Sequence, residues 1–115
     1  MKLKPMKSKL AEKKCEPCDS GTTPLKGDTL QQFQKQLDGG WRVIDEQRLE
    51  KQFKFPDFLQ ALQFTNGVGQ IAEEQGHHPD IYLTYGEVRL KVWTHKIHGL
   101  TESDFILAAK INEIE

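Results

Sequence analysis

The spacing of the apolar residues constrains this chain more than any other feature, because its period changes in a fixed order. Alternation of apolar with polar residues predicts strands, and apolar residues three or four positions apart predict amphipathic helices. From Lys26 onward the order of these patterns is α-β-β-α-β-β-α. Two strand pairs joined by short turns favour an α+β fold, a four-stranded antiparallel sheet with helices packed on one face. The predicted strands are Trp41–Asp45, Leu49–Phe55, Ile81–Tyr85 and a fourth that begins at Val88.

Capping residues mark the starts of three predicted helices. A Thr or Asp followed three residues later by Gln or Asp can satisfy backbone N–H groups of the first turn. The second helix is the longest and should end at Gly76, which delivers His77 at its exit. Gly67 and Gly69 inside it each cost about 1 kcal/mol relative to Ala, so either another backbone passes close by or the helix tolerates them. The predicted caps are Asp28 or Thr29 (paired with Gln), Asp57 (with Gln60) and Thr101 (with Asp104).

Composition indicates one soluble globular domain. The 115 residues suffice for a single core, with 37% hydrophobic and 29% charged residues. The formal net charge of −1 gives no electrostatic case for nucleic acid over the whole surface. No apolar run approaches the length of a membrane span, and the Lys-rich start lacks the hydrophobic stretch of a secretory signal. We expect a cytoplasmic protein that has neither nucleic acid nor membrane as a partner.

Residues 1–26 are a different kind of sequence. Six lysines stand among few large apolar residues between Met1 and Lys14. Such a segment cannot bury enough surface to offset the entropy lost on ordering. We therefore predict a flexible Lys-rich extension over 1–26, followed by a folded domain over 27–115. Attraction of the lysines to nucleic acid or to a membrane surface is the alternative.

A lone C-x-x-C, Cys15 to Cys18, lies within this extension. A structural zinc site needs about four ligands, and no second cysteine pair completes one. A thioredoxin-like pair would stand at a strand-to-helix junction, whereas this one lies in a Pro/Gly/Ser/Thr-rich stretch. We interpret it as two reduced thiols in an extended segment; zinc shared between subunits, or with a histidine, is the alternative.

Three histidines and a carboxylate are brought close together by the predicted fold. Glu73 precedes His77 by four residues, and His95 follows the second strand pair. Histidine has an unperturbed pKa of about 6.5, so it can donate or accept a proton near neutral pH. Pro79 biases His78 toward an extended backbone, in which adjacent side chains point in opposite directions, so the two neighbouring histidines should differ in role. The cluster predicts a proton-transfer site.

Other kinds of site fit the sequence less well. No Ser or Cys nucleophile accompanies the histidines, and no glycine-rich phosphate loop opens a helix. Zinc held by three histidines is an alternative, although adjacent histidines rarely ligate one ion without strain. A structural role for each histidine is the other alternative. His95, however, shares a strand face with Lys91 and Trp93, opposite the aliphatic stripe, so it is not predicted in the core.

From about Leu30 to Ile114 the chain resembles the pterin-4a-carbinolamine dehydratase (4a-hydroxytetrahydrobiopterin dehydratase) family. Many matches in a fixed order over most of the chain make the resemblance specific. Gly76 departs from the family pattern, which often has an acidic residue at this position. The matching segments are Gly40-Trp41, Leu49–Phe55, Asp57-Phe58, Glu73-x-x-x-His77-His78-Pro79, Tyr85-x-x-Val88, Thr94-His95 and Gly99-Leu100-Thr101-x-x-Asp104.

The resemblance implies an enzyme that removes water from a 4a-hydroxytetrahydropterin and yields a quinonoid dihydropterin. This reaction supports tetrahydrobiopterin recycling and requires no metal or organic cofactor. The resemblance also implies a homodimer or homotetramer, built by joining sheets across an edge and by packing helices. Two alternatives come with the same family: a pterin- or molybdopterin-linked binding protein, and a dimerisation partner of a transcription factor without catalysis.

The same resemblance implies roles for individual residues. His77 and His95 would flank the 4a position as acid and base, in either order. His78 would orient the pterin, and Glu73 would hold the histidines or contact the ring. Trp41 would wall the pocket or stack on the pterin, or else be a core tryptophan. The implied substrate-binding residues are Trp41, Gly76, Pro79 and Thr94.

Overall fold

The computed structural model describes residues 9–15, 22–37 and 39–115. Within these ranges the predicted order α-β-β-α-β-β-α is confirmed from the second helix onward. A short helix precedes it, and a single turn of 3₁₀ helix follows the last strand. The elements are α1 Lys9–Glu12, α2 Gly27–Gln36, β1 Arg42–Ile44, β2 Arg48–Lys54, α3 Phe58–Gln75, β3 Asp80–Thr84, β4 Glu87–Val92, the 3₁₀ helix His95–Ile97 and α4 Glu102–Asn112.

The four strands form one antiparallel sheet in the order β1-β2-β4-β3. Its central pair joins β2 to β4, with Leu49 opposite Val92 and Phe53 opposite Val88. Because side chains alternate between faces, these residues share one face, and all four are buried. Helices α3 and α4 pack on that face. The predicted arrangement of helices on one side of an antiparallel sheet is therefore confirmed.

Helix α3 begins and ends at the predicted residues. The Asp57 carboxylate accepts a hydrogen bond of 2.8 Å from the backbone N–H of Gln60. At the other end Gly76 adopts a left-handed conformation with φ of 64°, and its N–H donates to the carbonyls of Ala72 and Glu73. A residue without Cβ adopts this conformation at little cost, which ends the helix and turns the chain toward His77. Within the described ranges, no helix has the length and apolar character needed to cross a bilayer.

The predicted cap of helix α2 is wrong. The N-cap is Lys26, two to three residues before the predicted Asp28 or Thr29, and it makes no side-chain capping bond. The Glu46 carboxylate, from the turn between β1 and β2, accepts the N–H of Gly27 at 3.1 Å instead. A cap supplied by a residue so far along the chain leaves no local signature for a sequence pattern to detect.

The two glycines of α3 have different surroundings. A Cβ at Gly67 would lie 2.9 Å from Cδ1 of Ile114, so the neighbour is a side chain of the C-terminal segment and not a passing backbone. A Cβ at Gly69 would meet nothing within 4 Å. Among the described residues, the predicted close approach of another backbone is therefore wrong for both glycines, and Gly69 stands at an open part of the helix surface.

The N-terminal extension differs from the predicted mobile segment over residues 9–15. Leu10 is 1% exposed and belongs to the hydrophobic core, where α1 packs against α4. Lys110 Nζ donates to the carbonyl of Ala11 at 2.8 Å, and Lys13 pairs with Glu102 at the surface. Leu10 and Ala11 are both buried, so this segment packs as part of the core although its composition alone predicts mobility. Residues 1–8 and 16–21, including Cys18, lie outside the described residues.

Replacing Leu10 by Ala tests whether this segment is part of the folded domain. Truncating a fully buried leucine removes transfer free energy and leaves a cavity, so we expect Leu10→Ala to lower the free energy of unfolding by about 2–4 kcal/mol. Lys13→Ala, in the same segment, removes only an exposed ion pair and should cost less than about 1 kcal/mol. Urea denaturation followed by circular dichroism measures both. Equal, small losses would mean that Leu10 contributes nothing to the core.

Candidate active site

The carboxylate of Asp104 is the centre of the candidate site. It is 0% exposed and stands in the first turn of α4, where it completes a capping box with Thr101. Its Oδ2 accepts the Thr101 backbone N–H at 2.9 Å and the Thr94 hydroxyl at 2.8 Å. Its Oδ1 lies 2.5 Å from Nε2 of His77. Three donors and the positive end of the helix dipole compensate for the loss of water around this carboxyl group.

His77 is held by both its backbone and its ring. Its N–H donates to the carbonyl of Ala72 at 3.1 Å, which fixes it at the exit of α3. Its side chain is 14% exposed. Because a carboxylate only accepts hydrogen bonds, the ring nitrogen Nε2 carries the proton that faces Asp104. A neutral His77 therefore presents Nδ1 as a hydrogen-bond acceptor.

His78 contacts a different carboxylate from that of its neighbour His77. Its Nε2 lies 3.0 Å from a carboxylate oxygen of Glu73, and both side chains are exposed. Of the histidines that Glu73 was predicted to hold, it contacts His78. An exposed pair of this kind contributes little to stability. Because both side chains are exposed, this pair can contact a bound molecule.

His95 lies beside a third carboxylate, that of Asp80. The strand β4 ends at Val92, so His95 begins the 3₁₀ helix and does not continue the strand as predicted. Its Nε2 lies 3.6 Å from Oδ1 of Asp80, and its ring meets the Trp93 ring edge-on with 4.2 Å between centroids. Trp93 Nε1 donates to the other oxygen of Asp80 at 3.0 Å. Asp80 and Trp93 together therefore restrict the orientation of His95.

Most of the predicted site residues are connected by a hydrogen bond or by adjacency in the chain. Thr94 is buried and bonded to Asp104, and it directly precedes His95. Thr94 therefore connects the carboxylate that holds His77 to the turn that carries His95. Gly76 caps α3 next to His77, and Pro79 lies between His78 and Asp80.

Trp41 is not brought to this cluster. It is buried in the core, where its ring lies edge-on to Phe53, and its Nε1 donates to Asn112 at 2.9 Å. Asn112 ends α4, eight residues and about 12 Å of helix away from Asp104. Of its two predicted roles, Trp41 in this chain has that of a core tryptophan.

Three functional candidates were missed as site residues: Asp80, Trp93 and Asp104. The sequence predicted Asp104 only as a helix cap, because a capping pattern says nothing of what the second carboxylate oxygen contacts. Asp80 directly follows Pro79, and Trp93 stands two residues before His95, so proximity in sequence was the available signal. Among the described residues, no group of three or more His, Cys, Asp or Glu side chains is arranged to hold a metal ion.

Comparison with known proteins identifies the family. Residues 23–114 match the family model described as pterin 4 alpha carbinolamine dehydratase. The chain belongs to this family. A relative from Rubrobacter xylanophilus is 52% identical over 107 residues, which cover 93% of this chain and 99% of the relative. A relative from Alkaliphilus metalliredigens is 51% identical over 104 residues, covering 90% and 94% of the two chains. Both carry the provisional name pterin-4-alpha-carbinolamine dehydratase.

Solved structures of pterin dehydratase-like proteins share the fold. A crystal structure from Brucella melitensis, described as a transcriptional coactivator/pterin dehydratase, superposes with a TM-score of 0.73 at 32% identity. The match covers 80% of this chain and 98% of that one. A pterin dehydratase-like assembly factor of RuBisCO in the alpha-carboxysome, 24% identical with a TM-score of 0.58, shows the fold alone. The family match begins at residue 23, so α1 lies outside it.

Asp104→Asn tests how this family member holds His77. The amide has one acceptor oxygen, and we expect it to remain with the Thr101 N–H and the Thr94 hydroxyl. The NH₂ group then faces Nε2 of His77 and forces the proton to Nδ1, as an amide does beside the histidine of a catalytic triad. Nitrogen-15 NMR of the imidazole reports the tautomer.

The matched control for this variant is Glu102→Gln, two residues earlier in the same helix turn, where the carboxylate pairs with Lys13 at the surface. It should leave the His77 signals unchanged. We expect Asp104→Asn to lower the free energy of unfolding by about 1–3 kcal/mol, because a charge-assisted bond is lost inside the protein. An unchanged His77 tautomer in Asp104→Asn would contradict the assigned contact.

Proposed function

We propose that this protein is a dehydratase that removes water from a 4a-hydroxytetrahydropterin and releases a quinonoid dihydropterin. Membership of the family supports the reaction class. One observation supports the assignment of this reaction to particular residues. Two imidazoles each lie beside a carboxylate, His77 beside Asp104 and His95 beside Asp80, and Thr94 connects the two pairs. Two positioned groups that can exchange protons near neutral pH are what this reaction needs.

The reaction moves two protons and changes no oxidation state overall. The bond between C4a and the hydroxyl oxygen breaks, and its electron pair leaves with the oxygen. A general acid protonates that oxygen, so water departs. A general base takes the proton from a ring N–H, and the freed electron pair forms the C=N bond of the quinonoid product. No metal or organic cofactor enters this scheme.

We assign the base role to His77 and the acid role to His95. His77 donates from Nε2 to Asp104, which leaves Nδ1 to accept a proton, and the buried carboxylate stabilises the imidazolium that forms. The side chain of His95 is 52% exposed, so it can be reprotonated from solvent after each turnover. Asp80 and Trp93 position it. The sequence alone left this order open.

The exposed residues around the pair would bind the pterin. His78 and Glu73 form an exposed pair next to His77 in the chain and would orient the ring. Gly76 and Pro79 flank the two adjacent histidines and shape their backbone, and Thr94 supports the site through its hydrogen bond to Asp104. We further propose that the protein acts in the cytoplasm and supports tetrahydrobiopterin recycling.

Dehydration of 4a-hydroxytetrahydropterin, generated in situ by a hydroxylase, tests the proposal. We expect wild type to accelerate the reaction above its spontaneous rate. His77→Ala and His95→Ala should each lower kcat by roughly 100-fold or more, the usual contribution of a positioned acid or base. His78→Ala should mainly raise KM.

The matched control is His98→Asn. His98 is exposed and has a positive φ of 50°, which Asn tolerates, and the proposal gives it no part in catalysis. Loss of activity in His98→Asn equal to that in His77→Ala would contradict the assignment. A folded wild type that binds pterin without accelerating the reaction would favour the alternative of a pterin- or molybdopterin-linked binding protein, or a dimerisation partner without catalysis.

We also propose that the protein forms a homodimer or homotetramer. Support comes from helix α3, which exposes Phe58 by 44% and Leu59 by 61% and leaves open space beside Gly69. Large exposed apolar side chains of this kind often mark an association surface. A groove of about 300 Å³ runs beside the same helix and is lined by Phe55, Phe64 and Ile114, of which Ile114 is 41% exposed.

Leu59→Lys tests this surface. A charge at the centre of an apolar contact should weaken association at least tenfold, which analytical ultracentrifugation measures as a shift toward monomer. Lys54→Glu, on the opposite face of the sheet, is the charge-changing control. A wild type that is monomeric at all concentrations would overturn the oligomer proposal while leaving the dehydratase proposal intact.

A further inference from the structure

Residues 9–15 precede the part of the chain that the family model covers, and they contact the residues that support the candidate site. We call this segment, α1 together with residues 13–15, the N-terminal clasp. It is anchored by Leu10 in the core and by the bond from Lys110 to the Ala11 carbonyl. These contacts hold the clasp along α4. They leave Cys15 at the first turn of that helix, next to the residues that position His77.

Cys15 bridges the two elements that carry the His77–Asp104 pair. Its backbone N–H donates to Oε1 of Gln75 at 3.0 Å. Its Sγ donates to the carbonyl of Ser103 at 3.4 Å. Gln75 ends α3 two residues before His77, and Ser103 directly precedes Asp104. One residue of the clasp thus joins the exit of α3 to the start of α4.

The chain just after the undescribed residues 16–21 makes a second contact of this kind. The N–H of Leu25 donates to the carbonyl of Leu100 at 2.8 Å. Pro24 lies so close to Gly99 that a Cβ there would be 2.8 Å from the proline ring. Gly99 in turn pairs with Thr94 through backbone hydrogen bonds. Pro24 and Leu25 therefore contact Gly99 and Leu100, which lie between the two threonines that bind Asp104.

We propose that Cys15 and Gln75 are positioning residues, which hold the exit of α3 against the first turn of α4 so that His77 stays in register with Asp104. A hydrogen bond weakens steeply with misalignment, and a displacement near 1 Å at a reacting group can reduce catalysis by about 100-fold. His77 and Asp104 are 27 residues apart in sequence. Their relative position is therefore set by tertiary contacts such as those of Cys15.

Four variants test this role. Gln75→Met removes the acceptor of the Cys15 N–H while keeping a side chain of similar length. Cys15→Ala removes the sulfur contact to Ser103, and Cys15→Ser restores a donor at the same position. Gln70→Met is the control, because Gln70 is exposed on the same helix and its amide lies 3.4 Å from Glu74.

The first readout is the structure around His77 and does not depend on what the protein catalyses. In Gln75→Met and Cys15→Ala we expect nitrogen-15 NMR to show a second His77 imidazole state. Hydrogen exchange of the Thr101 amide, which donates to Asp104, should quicken by about tenfold because this region opens more often. Cys15→Ser should return both signals toward wild type, and Gln70→Met should match wild type.

The second readout rests on the proposed dehydratase activity. The kcat of Gln75→Met should fall by roughly tenfold with KM unchanged, because alignment of the base is affected and pterin binding is not. Urea denaturation establishes that each variant is folded; if Gln75→Met is not, the Cys15→Ala and Cys15→Ser pair decides the question. His77 signals and Thr101 exchange equal to those of Gln70→Met would overturn the proposal. An absence of dehydratase activity in wild type would leave the first readout fully decisive.

Discussion

The fold and the candidate site depend on one buried carboxylate. Asp104 accepts hydrogen bonds from three segments: the start of α4, Thr94 in the turn that follows β4, and His77 at the exit of α3. A carboxylate removed from water costs several kcal/mol unless donors replace the water, and here three do. The same bonds that stabilise the helix start therefore fix the imidazole. Displacing any one of the three segments would leave this carboxylate incompletely satisfied.

Each of three histidines is paired with its own carboxylate, and the pairs differ in exposure. His77 and Asp104 are largely buried, His95 and Asp80 are half-exposed, and His78 and Glu73 are exposed. The energetic value of a charge pair rises as water is excluded, so this gradient separates a rigid support from groups that can rearrange around a ligand. The three pairs thus include one fixed imidazole and two that can adapt.

Much of the fold follows from local patterns in the sequence. The Asp57 cap, the Gly76 stop and the aliphatic stripe of β4 are each encoded within a few residues, and the structure confirms them. Contacts between distant residues have no such signature. The Glu46 cap of α2, the burial of Leu10 and the second role of Asp104 all arise from tertiary packing, which a periodicity does not record.

The sheet order β1-β2-β4-β3 has a consequence for how the site assembles during folding. Its central strands, β2 and β4, are separated in sequence by α3 and β3, so they pair only after a long loop has closed. Glu73 and His78 are five residues apart and can meet within one helix end, whereas His77 and Asp104 are 27 apart. Contacts at large sequence separation form slowly, because the chain loses the entropy of closing the loop before packing stabilises it. The exposed pair can therefore form as soon as the end of α3 has formed, whereas the buried pair also requires the chain between α3 and α4 to fold back.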